Sequence, residues 1–325
     1  MIQLSVVVPV YGCADCLATL YERLTATLAS CLQSYEIVLV DDRAPDRAWE
    51  AILALGERDR RVRGVRLSRN FGQHAAITAG LAECRGERAV VMDCDLQDPP
   101  EVIPRLLEKS RAGHDIVLAR RKQKKHSGFR RLAATLYFKL LGALTGRRFD
   151  GEFGAFSLIT RRVIDAFLRL KDRDRHYLFI LYWLGFDAVA IDYEHAPRHS
   201  GASAYTLRSL LRHAFEGMVF QTTTLLRWIV YFGFVVSSAG VLLAAYLVYM
   251  YFAYTPPPGW TSLAVLTLVI GGFVIMSTGV TGLYIGRIFE QVKGRPLYVI
   301  EESTADAGSL REGTLRAGKA HVDTV

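Results

Sequence analysis

The sequence predicts an α/β fold with a mostly parallel sheet, followed by two helices long enough to cross a bilayer. Three observations carry this expectation. Short apolar runs alternate with helical patterns through the first hundred residues, which argues for parallel strands joined by crossover helices. The fourth run ends in Asp93-Cys94-Asp95-Leu96-Gln97-Asp98-Pro99-Pro100, and open α/β sheets place ligands at such carboxyl ends. Two uncharged stretches, 228–252 and 260–285, each suffice for a bilayer core of about 30 Å.

In chain order, the pattern predicts a strand over Leu4–Val10, a helix near Cys16–Ala29, a strand over Ile37–Val40 and a helix near Arg47–Arg58. A strand over Val62–Leu67, a helix near Gln73–Glu83 and strands over Ala89–Met92 and Asp115–Ala119 follow. Strand order is not readable from this pattern. The expected organisation is a first domain over 1–224, with interfacial helices at about 130–145 and 205–224, then membrane helices within 225–287 joined by a short external turn at 253–259. A C-terminal segment, 288–325, is expected to be disordered from about 303, where apolar periodicity ceases.

Arg208, Arg212 and Arg227 precede the apolar stretches and Arg287, Lys293 and Arg295 follow them, so the positive-inside bias puts both ends in the cytosol of a cytoplasmic membrane. Residues 1–10 read as a strand, not a cleavable leader. The net charge of +8 gathers near Arg120–Lys125, Arg130, Arg131, Arg147, Arg148 and the membrane flanks, which favours lipid headgroups and phosphates over nucleic acid. The five cysteines precede the apolar stretches and are expected as reduced thiols; Cys13 and Cys16 read as helix packing.

Asp93 and Asp95 carry the chemistry. Residues i and i+2 of an extended segment point the same way, so both carboxylates can reach one hard cation, Mg2+ or Mn2+, which would bridge diphosphate oxygens. Three other strand ends converge there: Pro9-Val10-Tyr11, Asp41-Asp42 and Ser68-Arg69-Asn70-Phe71-Gly72-Gln73-His74. Tyr11 can flank a base and Asp42 can bond its edge or the ribose; a packed aromatic and a turn acid are the competing readings. The absence of G-x-G-x-x-G and Walker loops argues against dinucleotide oxidoreductases and P-loop enzymes.

The ordered set Val8-Pro9-Val10-Tyr11, Asp41-Asp42, Arg69-Asn70-Phe71-Gly72 and Asp93 to Pro100, with two C-terminal spans, resembles family 2 glycosyltransferases of the polyprenyl-phosphate type. Asn70 to Ala76 and Thr222 to Arg227 are most similar to bacterial undecaprenyl-phosphate aminoarabinose-type transferases. Dolichyl-phosphate mannose synthases are more distant. The resemblance implies a GT-A, Rossmann-like fold, a UDP-sugar donor contacted by Pro9, Tyr11, Asp42, Asn70, Asp93 and Gln97, and a metal at Asp95 with Asp93 in support. It implies inverting transfer of one sugar to polyprenyl (undecaprenyl) phosphate, and a homo-oligomer, in similar proteins a tetramer.

By the same resemblance, Arg120 or Arg121, Arg130 and Arg131 contact phosphates. Arg198, with Ser203 as a hydrogen-bond donor, holds the diphosphate or acceptor phosphate. Glu152 is a sugar-hydroxyl ligand or base. Relatives usually carry an acid and a lysine at the places of Ala202 and Ala204, and some carry an aspartate where Ala155 stands. Residues 131–145 suit either a membrane-interface helix or an ordinary amphipathic one, while Trp183 and Phe186 read as packing. A processive polysaccharide synthase would need a Gln-x-x-Arg-Trp motif and more spans; a noncatalytic membrane adaptor has no use for Asp93 and Asp95.

Overall fold

A computed structural model describes residues 2–121, 153–172, 175–194 and 259–304, together with isolated positions between 229 and 253. The chain divides into two compact units, one comprising Met1–Lys125, Gly151–Ala202 and Pro296–Val325, the other His126–Asp150 and Ser203–Arg295.

The first unit is a sheet covered by helices on both faces. Strand β1 (Leu4–Val10) leads through helix α1 (Ala14–Cys31) to β2 (Tyr35–Asp41), and α2 (Ala48–Arg58) leads to β3 (Val62–Leu67). Next come α3 (Gln73–Glu83), β4 (Arg88–Val91), a 3-10 turn at Pro100–Val102, α4 (Ile103–Arg111) and β5 (Ile116–Arg121). Beyond these lie β6 (Phe153–Thr160), α5 (Arg161–Arg169), α6 (Tyr177–Leu184), β7 (Ala188–Tyr193) and β8 (Ile300–Ser303). Every residue of β1 and β2 is buried, as expected of strands covered on both faces.

The strand order is β7-β5-β6-β4-β1-β2-β3-β8. Pairs β1–β2, β2–β3, β1–β4 and β5–β7 are parallel, whereas β6 is antiparallel to both β4 and β5, and β8 is antiparallel to β3. The sheet is therefore mixed. The parallel half is the part visible as strand-helix alternation; β6 and β8 follow no such crossover. One core packs α1, α2 and α4 on one face, with Leu17, Leu24, Ile52 and Leu106 fully buried. The other packs α3, α5 and α6 with Ile77, Ile164, Phe167 and Tyr177.

The two ends of the sheet differ. Beneath the amino ends of the strands, buried Glu36 accepts bonds from Ser5 Oγ (2.6 Å) and the Arg85 N–H (2.6 Å) and pairs with Arg63 (3.3 Å). Ser5 Oγ in turn accepts the Gly86 N–H at 2.8 Å. This end is closed by its own polar groups. At the carboxyl end the β1–β4 ladder stops at the pair Val7–Val91, and Pro9, which has no N–H to donate, lies beyond it. The two central strands end in loops that diverge from their ladder, and the carboxylates sit there.

Helix α7 (Trp260–Val292) belongs to the second unit. Its stretch Ile270–Val292 is long and apolar enough to cross a membrane, by length and composition. It is the one such helix among the described residues, where the sequence suggests two. The earlier stretch falls largely outside them, though its described positions, including Ile229, Tyr231, Leu242 and Tyr246, are helical. Phe232 meets Phe273 of α7 with ring centroids 4.8 Å apart.

Glu36→Ala strips a buried pair of its anion and leaves Ser5, Arg63 and the Arg85 N–H without their shared acceptor, so it should cost about 3 kcal/mol in thermal or denaturant unfolding. The ring of His176 stacks on Phe179 (4.1 Å) and meets His74 (4.4 Å). Burial lowers both imidazoles, His74 to about 3, aided by His176, and His176 to about 4. Unfolding therefore takes up protons between pH 6.5 and about 4: this stability is complete above pH 6.5 and is lost as pH falls toward those values. Between pH 6.5 and 5 the wild type should lose more melting temperature than His176→Phe, a difference that isolates the imidazoles from Asp93, whose raised carboxyl acts in the opposite sense.

Candidate active site

The carboxyl ends of β1, β2, β4 and β5 bring four sets of polar groups to one rim. Asp42, just past β2, is buried, and its oxygens accept the Phe71 N–H (2.7 Å) and the Gly72 N–H (2.8 Å). Its role in the structure is to hold the loop before α3, and burial raises its carboxyl despite those bonds. Gly72 sits at φ +94°, a region glycine enters without strain, and this turn starts α3. The first helical residue, Gln73, then donates from Nε2 to Asp93 Oδ1 at 2.6 Å. A chain of contacts thus runs from Asp42 through the 71–73 loop to Asp93.

Asp93 lies two residues beyond β4. Loss of water, then the charges of Asp98 and Asp95, push its carboxyl up to about 7, although Arg121 Nη2 at 3.9 Å opposes this. Asp95 Oδ1 accepts the Gln97 N–H at 3.1 Å, and Leu96 between them takes φ +62°, so the acidic loop turns tightly. Fully buried Asp98 accepts a bond from Tyr193 Oη and lies 3.5 Å from Arg121 Nη2. Arg121 Nε donates to Tyr193 Oη at 3.0 Å. A Cβ on Gly154 would stand 2.7 Å from that guanidinium, so the missing side chain makes room for it.

The nucleotide candidates are unequally placed. Tyr11 is 53% exposed at the rim, and Asn70 is also exposed. Pro9 is buried within β1 and shapes the rim by ending the ladder. Gln97 is bonded to Asp95 through its backbone. Arg120 and Arg121 are consecutive in β5 and face opposite ways: Arg120 Nε donates to Asp192 Oδ1 at 2.6 Å, and Arg121 is the one that reaches the acids. Glu152, Arg130, Arg131, Arg198 and Ser203 lie outside the described residues, as do Ala202 and Ala204. Ala155 is half-buried in β6, and Trp183 is 63% exposed rather than packed. Phe186 lies under the Arg162 guanidinium.

The expectation of uniformly reduced cysteines is corrected. Cys13 and Cys94 form a disulfide, with Cα atoms 6.5 Å apart; Cys16, Cys31 and Cys84 remain thiols. The cause is adjacency: β1 and β4 are neighbours, and each cysteine falls three residues past the end of its strand, Cys13 after the turn at Gly12. Reading this from sequence requires knowing that β1 and β4 are adjacent. Sequence reasoning also missed Tyr193 and gave no individual role to Gln73 or Asp98. Asp98 was in view within the acidic stretch, but its burial depends on β7.

The donor set at the rim is one of hard carboxylate oxygens short of positive charge, which suits a divalent cation. Among the described residues no group of three or more His, Cys, Asp or Glu could hold a metal ion unaided. Asp93 and Asp95 would therefore need ligands from a bound diphosphate or water.

Comparison with known proteins agrees with this architecture. The chain is 36% identical over 304 residues to the undecaprenyl-phosphate 4-deoxy-4-formamido-L-arabinose transferase of Edwardsiella ictaluri, covering 91% of this chain and 93% of that one. It is 34% identical over 303 residues to the bactoprenol glucosyl transferase of Shigella phage SfII, covering 93% and 98%. The fold is similar to that of glucosyl-3-phosphoglycerate synthase from Mycobacterium tuberculosis, with a TM-score of 0.50, 15% identity, and 68% and 79% of the two chains covered. Residues 5–168 match the model for glycosyl transferase family 2, and the chain belongs to that family.

Proposed function

We propose that this glycosyltransferase moves a single sugar from a UDP-sugar to undecaprenyl phosphate or a similar polyprenyl phosphate, with inversion, at the cytoplasmic face of a membrane. The observation that carries the reading is the acidic rim, where Asp93 and Asp95 stand on one turn beside Arg121. The acceptor class rests on two relatives, each matched over more than nine-tenths of this chain, whose names specify undecaprenyl phosphate and bactoprenol. Helix α7 supports a membrane setting: Ile270, Val274, Leu283 and Phe289 are among its exposed apolar side chains, which lipid would cover.

In this scheme an oxygen of the lipid phosphate attacks the anomeric carbon as the bond from that carbon to the diphosphate breaks, and UDP leaves. The acceptor's second pKa is about 6, so its phosphate is already ionised near neutral pH and no protein base is required. The protein's task is to bring two anions together. A Mg2+ or Mn2+ ion held by Asp95 and Asp93 would neutralise diphosphate charge and support the leaving group. Gln73 holds Asp93 in its rotamer, and Arg121, fixed by Tyr193 and Asp98, keeps a positive charge beside the acids. Exposed Tyr11 offers a flat face to the base. Glu152, Arg130, Arg131, Arg198 and Ser203 are proposed sugar and phosphate contacts on resemblance, and Arg120 stays outside this set because Asp192 engages it.

The test is transfer of radiolabelled sugar from a panel of UDP-sugars to undecaprenyl phosphate by the full-length protein, with and without Mg2+ or Mn2+. A butanol-soluble, metal-dependent product is expected. Asp95→Asn should reduce its formation at least 100-fold with the melting temperature little changed. Full turnover by that variant would refute the metal assignment, and absence of lipid-linked product from every donor would refute the acceptor class.

A further inference from the structure

We propose that Cys13 and Cys94 form a redox-active site that exchanges with dithiols and sets the affinity of the nucleotide site; this rests on reading the acidic rim as that site. Cys94 lies between Asp93 and Asp95, so its backbone cannot shift without moving both carboxylates. Cys13 ends the loop that carries Tyr11, and its backbone directly precedes α1. The disulfide thus ties the base-side loop to the acidic loop, at the place where the β1–β4 ladder has already stopped.

The surroundings suit a bond that can be made and broken. The two loops leave their strands independently, and each has its own turn, Gly12 at φ +69° and Leu96 at φ +62°. The Ala14 N–H is held from elsewhere, by Asp46 Oδ2 at 2.9 Å, so α1 keeps its start when the sulfurs part. Both cysteines are buried, at 9% and 8% exposure, so attack on the disulfide requires the two rim loops to part. An attacking thiolate needs this rim open, and a ligand bound there would shield the sulfurs.

The exchange balances as follows. A thiolate of the dithiol attacks one protein sulfur and forms a mixed disulfide, releasing the other cysteine as thiolate. The dithiol's second sulfur then displaces the remaining cysteine. Two electrons pass to the protein, the reductant becomes a cyclic disulfide, and its two protons end on Cys13 and Cys94. The oxidised form, with the loops tied as in the structure, is the preorganised one and binds nucleotide more tightly. Reciprocity then requires bound nucleotide to resist reduction by the same factor.

The full-length protein in detergent, equilibrated in dithiothreitol buffers of graded oxidised-to-reduced ratio, provides the test. Peptide-resolved maleimide labelling counts the thiols at Cys13 and Cys94, and calorimetry measures binding of UDP with Mn2+. The oxidised protein should bind at least fivefold more tightly, and saturating UDP with Mn2+ should shift the reduction midpoint correspondingly. Cys13→Ser should bind like the reduced form and ignore dithiothreitol; the wild-type comparison stands alone if that variant does not fold. Equal affinity in both states, or alkylation of both cysteines in air-oxidised protein, overturns the proposal while leaving the nucleotide-site reading intact. Loss of UDP binding in both states overturns both.

Discussion

A carboxylate that loses water beside two other carboxylates must regain the lost solvation from somewhere, and Asp93 is in that position. Gln73 offers one amide donor and Arg121 stands 3.9 Å away, while burial, Asp98 and Asp95 push the other way and hold its carboxyl near 7. Asp98 spends its charge inward, on Tyr193 and Arg121. What remains is an excess of negative charge at the carboxyl end of the sheet, which a divalent cation with a diphosphate would relieve. The sheet's other features serve this arrangement: Pro9 ends the β1–β4 ladder, Asp42 fixes the loop that delivers Gln73, and Gly154 admits the guanidinium.

The opposite end of the sheet treats its buried acid differently. Glu36 is surrounded by Ser5, Arg63 and the Arg85 N–H, so its charge is answered within the protein. One sheet therefore carries two acidic centres, a buried one that is compensated and one at the rim left in deficit. The compensated centre supports the fold, and the deficit is where a ligand has something to supply. Such a division matches the general tendency of functional sites to retain unfavourable electrostatics that the rest of the domain tolerates.

Much of this was legible in the residues. The runs at Leu4–Val10 and Val62–Leu67 and the helix at Gln73–Glu83 form where apolar periodicity puts them, because each buries a face that the pattern reveals. Asp93 and Asp95 announced themselves by following a buried strand. Contacts made by strand order stayed hidden. The Cys13–Cys94 bond depends on β1 lying beside β4, the burial of Asp98 depends on Tyr193 of β7, and β8 reaches the edge of β3 from more than two hundred residues away. Asp42 showed a related limit: its position after β2 was readable, but its bonds to the Phe71 and Gly72 N–H groups required the loop to be built.

The claim that the acidic rim is a shared cation and diphosphate site is tested most directly by measuring Mn2+ binding to the full-length protein, with and without UDP, in the wild type and in Asp93→Asn. The account predicts that UDP tightens Mn2+ binding at least tenfold in the wild type and that this coupling disappears in the variant, because the ion and the diphosphate complete one coordination sphere. Coupling that persists undiminished in Asp93→Asn, or a wild type that binds UDP with no effect on Mn2+, would contradict it.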